Sequence, residues 1–106
     1  MKIIKGTYKT YTGDGWKTHE GSYANCYPFV IHRSDEGKGW SLSHMATGYS
    51  VKKSLSLKRA RSLAKYLQGF PLFLVPCLDT FTMQLALHKQ QHPKRHQEML
   101  NKITGE

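Results

Sequence analysis

No aspartate or glutamate occurs between Glu36 and Asp79, although that stretch includes Lys38, Lys52, Lys53, Lys58, Arg59, Arg61 and Lys65. Solvated surfaces ordinarily mix both signs, because clustered like charges repel. A one-signed stretch therefore points to an anionic partner, most simply a nucleic-acid backbone. Cysteine is also scarce: Cys26 and Cys77 stand far apart, in no C-x-x-C pair. Two cysteines are too few for a disulfide framework and suit a reducing cytosol, with a Cys26–Cys77 bridge left open. Long apolar runs are missing as well. The longest, Phe70 to Leu78, is interrupted by Pro71 and Pro76 and is far too short to span a bilayer. Lys2 and Lys5 precede no sustained apolar stretch, so no secretory signal is read. A soluble, cytoplasmic protein with no membrane association is expected.

The chain has 106 residues, which suits one domain, 1–106, with a single modest core. Its formal charge of +9 is uneven: residues 1–50 contribute +2 and residues 51–106 contribute +7. The excess falls in the half that reads as helical.

Residues 1–55 read as strands. Ile3, Ile4, Tyr8 and Tyr11 among Lys and Thr suit a strand over 2–12, followed by a Gly13-Asp14-Gly15 turn. Trp16–Ser22 is a second strand, weakened by Gly21. Tyr27–Arg33 and Trp40–Met45 form a hairpin around the turn-rich residues Ser34 to Gly39. Pairing Ile31 with Leu42 gathers Phe29, Ile31, Trp40 and Leu42 on one core face, with His44 on that face and His32 on the other. Tyr49–Leu55 is a further short strand.

Residues 56–106 read as helices. Ser56 is the N-cap of a helix over Leu57–Gln68, closed by Gly69. Leu57, Ala60, Leu63, Ala64 and Leu67 share one arc, whereas Lys58, Arg61 and Lys65 share another. Arg59 and Tyr66 fall on the far side. Phe70–Leu78 is expected to be a buried crossing or extended segment, since its two prolines forbid a long helix. Asp79 then caps a helix over Thr80–Gln91, stapled by Leu78 and Met83. Phe81 and Leu85 lie on one side of it and Met83 and Leu87 on another, so the helix is expected to be either deeply buried or shared between the core and a partner. Pro93 opens a last helix with Met99, Leu100 and Ile103 on one side. The fold class is α+β: an antiparallel sheet of three to five strands against an amphipathic helix, with two C-terminal helices.

No catalytic constellation is legible. His88, His92 and His96 stand at i, i+4 and i+8, a spacing that can bring imidazoles together on a metal, but Pro93 breaks the helix and no carboxylate completes the set. Packed or exposed histidines are the expected reading, with no cofactor. His44 reads as a hydrogen-bonded core histidine. Tyr8, Tyr11, Trp16, Tyr23, Tyr27, Trp40 and Tyr49 could stack unpaired bases, but large rings usually enter the core of a small sheet. An enzyme is not expected.

Gly48 to Leu67, in which Val51-Lys52-Lys53 leads to the start of the basic helix, resembles the end of a double-stranded-RNA-binding domain, without that family's opening helix. The element order is also similar to the three-stranded-sheet-plus-helix DNA-binding modules of some phage integrases and to single-strand-binding strand–helix repeats. The length and the Trp40-x-Leu42-x-His44 hairpin resemble small accessory proteins of phages and plasmids. This last resemblance implies an origin in a phage or mobile element, and none of the resemblances assigns a residue a role.

The sequence thus leads to a non-enzymatic nucleic-acid-binding accessory protein. Lys52, Lys53, Lys58, Arg61 and Lys65 would contact DNA or RNA phosphates, with Arg59 and Lys38 at the margin. The alternative is an inhibitor or adaptor that binds an acidic protein surface of a host nucleic-acid-processing complex, through the basic face or the 80–91 helix, with homodimerisation through that helix as a further expectation.

Overall fold

The computed structural model describes residues 2–12, 15–33 and 38–105. Five strands form one antiparallel meander: β1 (Ile4–Thr12), β2 (Gly15–Cys26), β3 (Phe29–Arg33), β4 (Trp40–His44) and β5 (Ser50–Leu55), paired in that order. Three helices follow: α1 (Leu57–Leu67), α2 (Leu78–Gln91) and α3 (Pro93–Thr104), with a 3-10 turn at Pro71–Phe73 between the first two. The architecture is α+β.

The β3–β4 hairpin has the expected register, Ile31 opposite Leu42 and Phe29 opposite His44. Phe29, Ile31 and Leu42 are fully buried beneath Ala60, Leu63, Ala64 and Leu67 of α1. Side chains alternate along a strand, so the same register sends Val30, His32, Ser41 and Ser43 to the opposite face. There Ser43 hydroxyl lies 2.8 Å from His32 Nε2. The Tyr8 ring stacks 4.7 Å from the His32 ring although β2 lies between their strands, so the β1–β2 hairpin curls over this face. On this face His32, Ser41 and Ser43 are buried together with Val30.

Several boundaries differ from the sequence reading. β2 runs on through Gly21 to Cys26, because its long ladder with β1 outweighs the local cost of a glycine. Tyr27 and Pro28 form the β2–β3 turn instead of opening β3, β4 ends at His44, and Tyr49 precedes β5. The expected turn residues Gly13 and Asp14, and 34–37 of the hairpin turn, lie outside the described residues.

The Ser56 hydroxyl accepts from Arg59 N–H at 3.1 Å, as an N-cap should. At the other end Gln68 is the C-cap, in right-handed geometry, with Gly69 following. The crossing is buried only at Phe70, Leu72 and Phe73; Leu74 is exposed. α2 starts earlier than Asp79 would set it: Cys77 occupies the N-cap position and Asp79 lies in the first turn, where its charge still favours the helix dipole. Leu78 and Met83, read as a staple, are both exposed. In α3, Met99 is buried and Ile103 half-buried, whereas Leu100 is exposed. Among the described residues no helix is long and apolar enough to cross a membrane.

Candidate functional site

The cationic stripe survives folding as a surface. Lys58, Arg61 and Lys65 are exposed on α1, while Ala60, Leu63, Ala64 and Leu67 of the same helix are buried. This division follows from helical spacing, since residues three and four apart share a face. On β5, Lys53 is exposed and Lys52 half-buried opposite Leu42, beside an irregularity in the β4–β5 ladder. Lys38 is also exposed, ahead of β4.

Arg59 belongs to a different feature. It lines a groove between α1 and α3 of about 170 Å³, with Ser62, Leu63, Tyr66 and Lys102. The Lys102 ammonium sits 5.7 Å from the centre of the Tyr66 ring, within cation–π reach. Two cations and a hydroxyl thus flank a half-buried ring. Lys102 was not legible as a site residue, because it follows Glu98 in sequence and joins the groove only when α3 packs on α1.

The aromatic residues divide in a way the sequence did not foreshadow. Trp40 is half-buried with the Arg33 guanidinium 5.2 Å from its ring centre. Trp16, Tyr27 and Tyr49, expected in the core, are instead 52 %, 68 % and 40 % exposed. Tyr11 is the hub of a small cluster, 5.8 Å from Trp16 and 5.3 Å from Tyr49 between ring centres, edge-on to both. Tyr11 and Trp16 are direct ladder partners near the tip of the β1–β2 hairpin. Tyr11 N–H also donates to the Gly48 carbonyl at 2.8 Å, which ties that tip to the turn carrying Tyr49.

The histidines have structural partners. His44 is buried, with Nε2 2.7 Å from the Phe73 carbonyl and Nδ1 3.0 Å from the Thr47 hydroxyl. A carbonyl can only accept, so Nε2 carries the proton and the neutral Nδ1 accepts from Thr47. Burial holds the His44 pKa below the ordinary histidine value, and the Phe73 bond opposes that shift in part. His88 and His96 meet across the α2–α3 junction with their Nδ1 atoms 2.9 Å apart, so one ring donates to the other. His88 is held low by burial and then by the positive fields of His96, His92 and Arg95. His92 is exposed, its ring centre 5.6 Å from that of His88. Among the described residues no group of three or more His, Cys, Asp or Glu is arranged to hold a metal ion. Cys26 and Cys77 are free thiols, half-buried and exposed respectively, so the open question of a bridge resolves against one.

No protein-family model, curated protein or solved structure matches the chain.

Proposed function

We propose that the protein is a non-enzymatic nucleic-acid-binding accessory protein that holds the phosphate backbone on the outer face of α1. The observation that carries this reading is the exposure of Lys58, Arg61 and Lys65 in a segment without a carboxylate, with Lys53 exposed on the preceding strand. Lysine and arginine neutralise phosphates and release their condensed counterions, so binding is tight at low salt and weakens steeply as salt rises. Phosphates carry no base identity, and contacts of this kind favour little sequence preference. Arg59 and Lys102 extend the positive surface around the helix toward α3. Small accessory proteins of phages and mobile elements suit this size and charge, and a cytoplasmic setting suits the free thiols.

The test is Lys58→Glu with Arg61→Glu. Both residues are exposed, so the double variant keeps the wild-type circular dichroism spectrum and melting curve. It loses measurable binding to DNA and RNA oligonucleotides at low salt. Wild-type affinity in a folded double variant overturns the proposal.

A protein partner is the second reading, and α2 favours it. Phe81 and Leu85 pack against the core, whereas Met83 and Leu87 are 57 % and 38 % exposed. Such a partner would be an acidic surface or a second copy of the chain. Size-exclusion chromatography separates the readings: a nuclease-resistant dimer that does not shift with nucleic acid favours the second.

A further inference from the structure

The stretch of surface left unused by the basic helix is the exposed aromatic cluster at the tip of the β1–β2 hairpin. Tyr11, Trp16 and Tyr49 line a cleft of about 210 Å³ together with Ala46, Thr47, Cys77 and Leu78. The cluster is held by main-chain bonds and one side-chain bond. Besides the Tyr11–Gly48 bond, Gly48 N–H donates to His44 carbonyl at 2.7 Å, and Tyr49 N–H donates to the Thr47 hydroxyl at 3.2 Å. Gly48 has φ +73°, and a Cβ there would lie 2.6 Å from Cζ3 of Trp16. The indole therefore rests directly on a glycine backbone, which fixes its inner side and leaves half the residue open to solvent.

Cations approach this cluster along two strands. Lys5, Thr7, Lys9 and Tyr11 alternate onto one face of β1, and Lys5 and Lys9 are exposed. Glu20, the acid on the paired strand, stands opposite Thr7, farther from the cluster than Lys9. From Tyr49, β5 leads through Lys52 and Lys53 to α1. The rings therefore stand at the end of a basic row on β1, with Lys53 exposed farther along β5. An apolar shelf in line with exposed cations is complementary to a planar base attached to a phosphate chain.

We infer that the nucleic acid is single-stranded, with an unpaired base stacked against the exposed faces of Trp16 and Tyr49 while its backbone is held by Lys9 and Lys53. This rests on the nucleic-acid reading above and names its substrate class. In a duplex the base faces are already stacked on one another, so the shelf gains nothing from paired DNA or RNA.

The experiment is fluorescence anisotropy with a labelled 16-nucleotide oligothymidylate and with a labelled 16-base-pair DNA duplex, at matched low salt. Wild-type protein binds the single strand more tightly. Trp16→Ala weakens single-strand binding about tenfold, within the range of one lost base–ring stack, and leaves duplex binding unchanged. Trp16→Leu keeps an apolar side chain on Gly48 but no ring, guards against a folding defect, and shows the same selective loss. In a Trp40→Phe background the remaining indole, Trp16, is quenched by oligothymidylate and not by the duplex. Equal binding of both probes, or an unchanged single-strand affinity in folded Trp16→Leu, overturns this inference alone. Absence of wild-type binding to either probe overturns the nucleic-acid reading itself.

Discussion

His44 donates its Nε2 proton to the main-chain carbonyl of Phe73 across 2.7 Å, while its other nitrogen accepts from Thr47. Thr47 in turn accepts from Tyr49 N–H. One buried imidazole therefore joins the 3-10 turn to the β4–β5 turn on which the aromatic cluster depends. A second proton on His44 would place a charge among Phe29, Phe73 and Phe81 and would require the Thr47 hydroxyl to turn round.

Acid is expected to destabilise the fold. The pKa values of His44 and His88 are both depressed, so the unfolded chain binds more protons than the native one through the histidine range. Their contribution to stability is complete above an ordinary histidine pKa of about 6.5 and disappears as pH falls through the depressed native values. Urea midpoints measured from pH 7.5 to pH 5 should fall steadily. A flat or rising midpoint contradicts the assignment.

Removing the His44 bonds has a separate, pH-independent cost. His44→Leu leaves the Phe73 carbonyl and the Thr47 hydroxyl without this partner, and is expected to cost about 1–3 kcal/mol at neutral pH. It should also shallow the acid dependence. Equilibrium unfolding at pH 7.5 and pH 5.5 measures both.

Gly48→Ala is predicted to loosen the aromatic cluster. The new methyl would meet the Trp16 ring and Tyr11 N at 2.6 Å, on a backbone with φ +73°. The left-handed conformation alone costs an alanine about 1–2 kcal/mol, and the clash adds to it. The expected signs are a lower unfolding midpoint and a shifted tryptophan emission maximum. Unchanged emission and stability would show that Trp16 does not rest on this glycine.

Ser56→Ala should cost about 1 kcal/mol, the value of one N-cap bond. Ser56→Asp should restore it. Thermal denaturation of the pair distinguishes a capping loss from a general surface effect.

Local chemistry is what the sequence conveys well. Trp40, Leu42 and His44 alternate with serines, which is enough to place Ile31 opposite Leu42 and to divide His44 from His32. The spacing within 57–67 likewise separates the leucines of α1 from its cations. Associations between distant segments carry no such signal. The Tyr11–Gly48 bond spans 37 positions, so nothing near Trp16 indicates that its ring will rest on a glycine and remain exposed. Lys102 joins Arg59 along one groove only through helix packing, and Cys77 takes the N-cap that Asp79 suited by residue preference alone.

Phosphate recognition by α1 is tested most directly by the salt dependence of oligothymidylate binding. If Lys52, Lys53, Lys58, Arg61 and Lys65 each meet a phosphate, log K against log salt should have a slope of about −3 to −4 for a single strand. With Lys58→Glu and Arg61→Glu in a folded protein, binding should vanish. A wild-type affinity insensitive to salt, or one retained by that double variant, would contradict phosphate recognition by the outer face of α1.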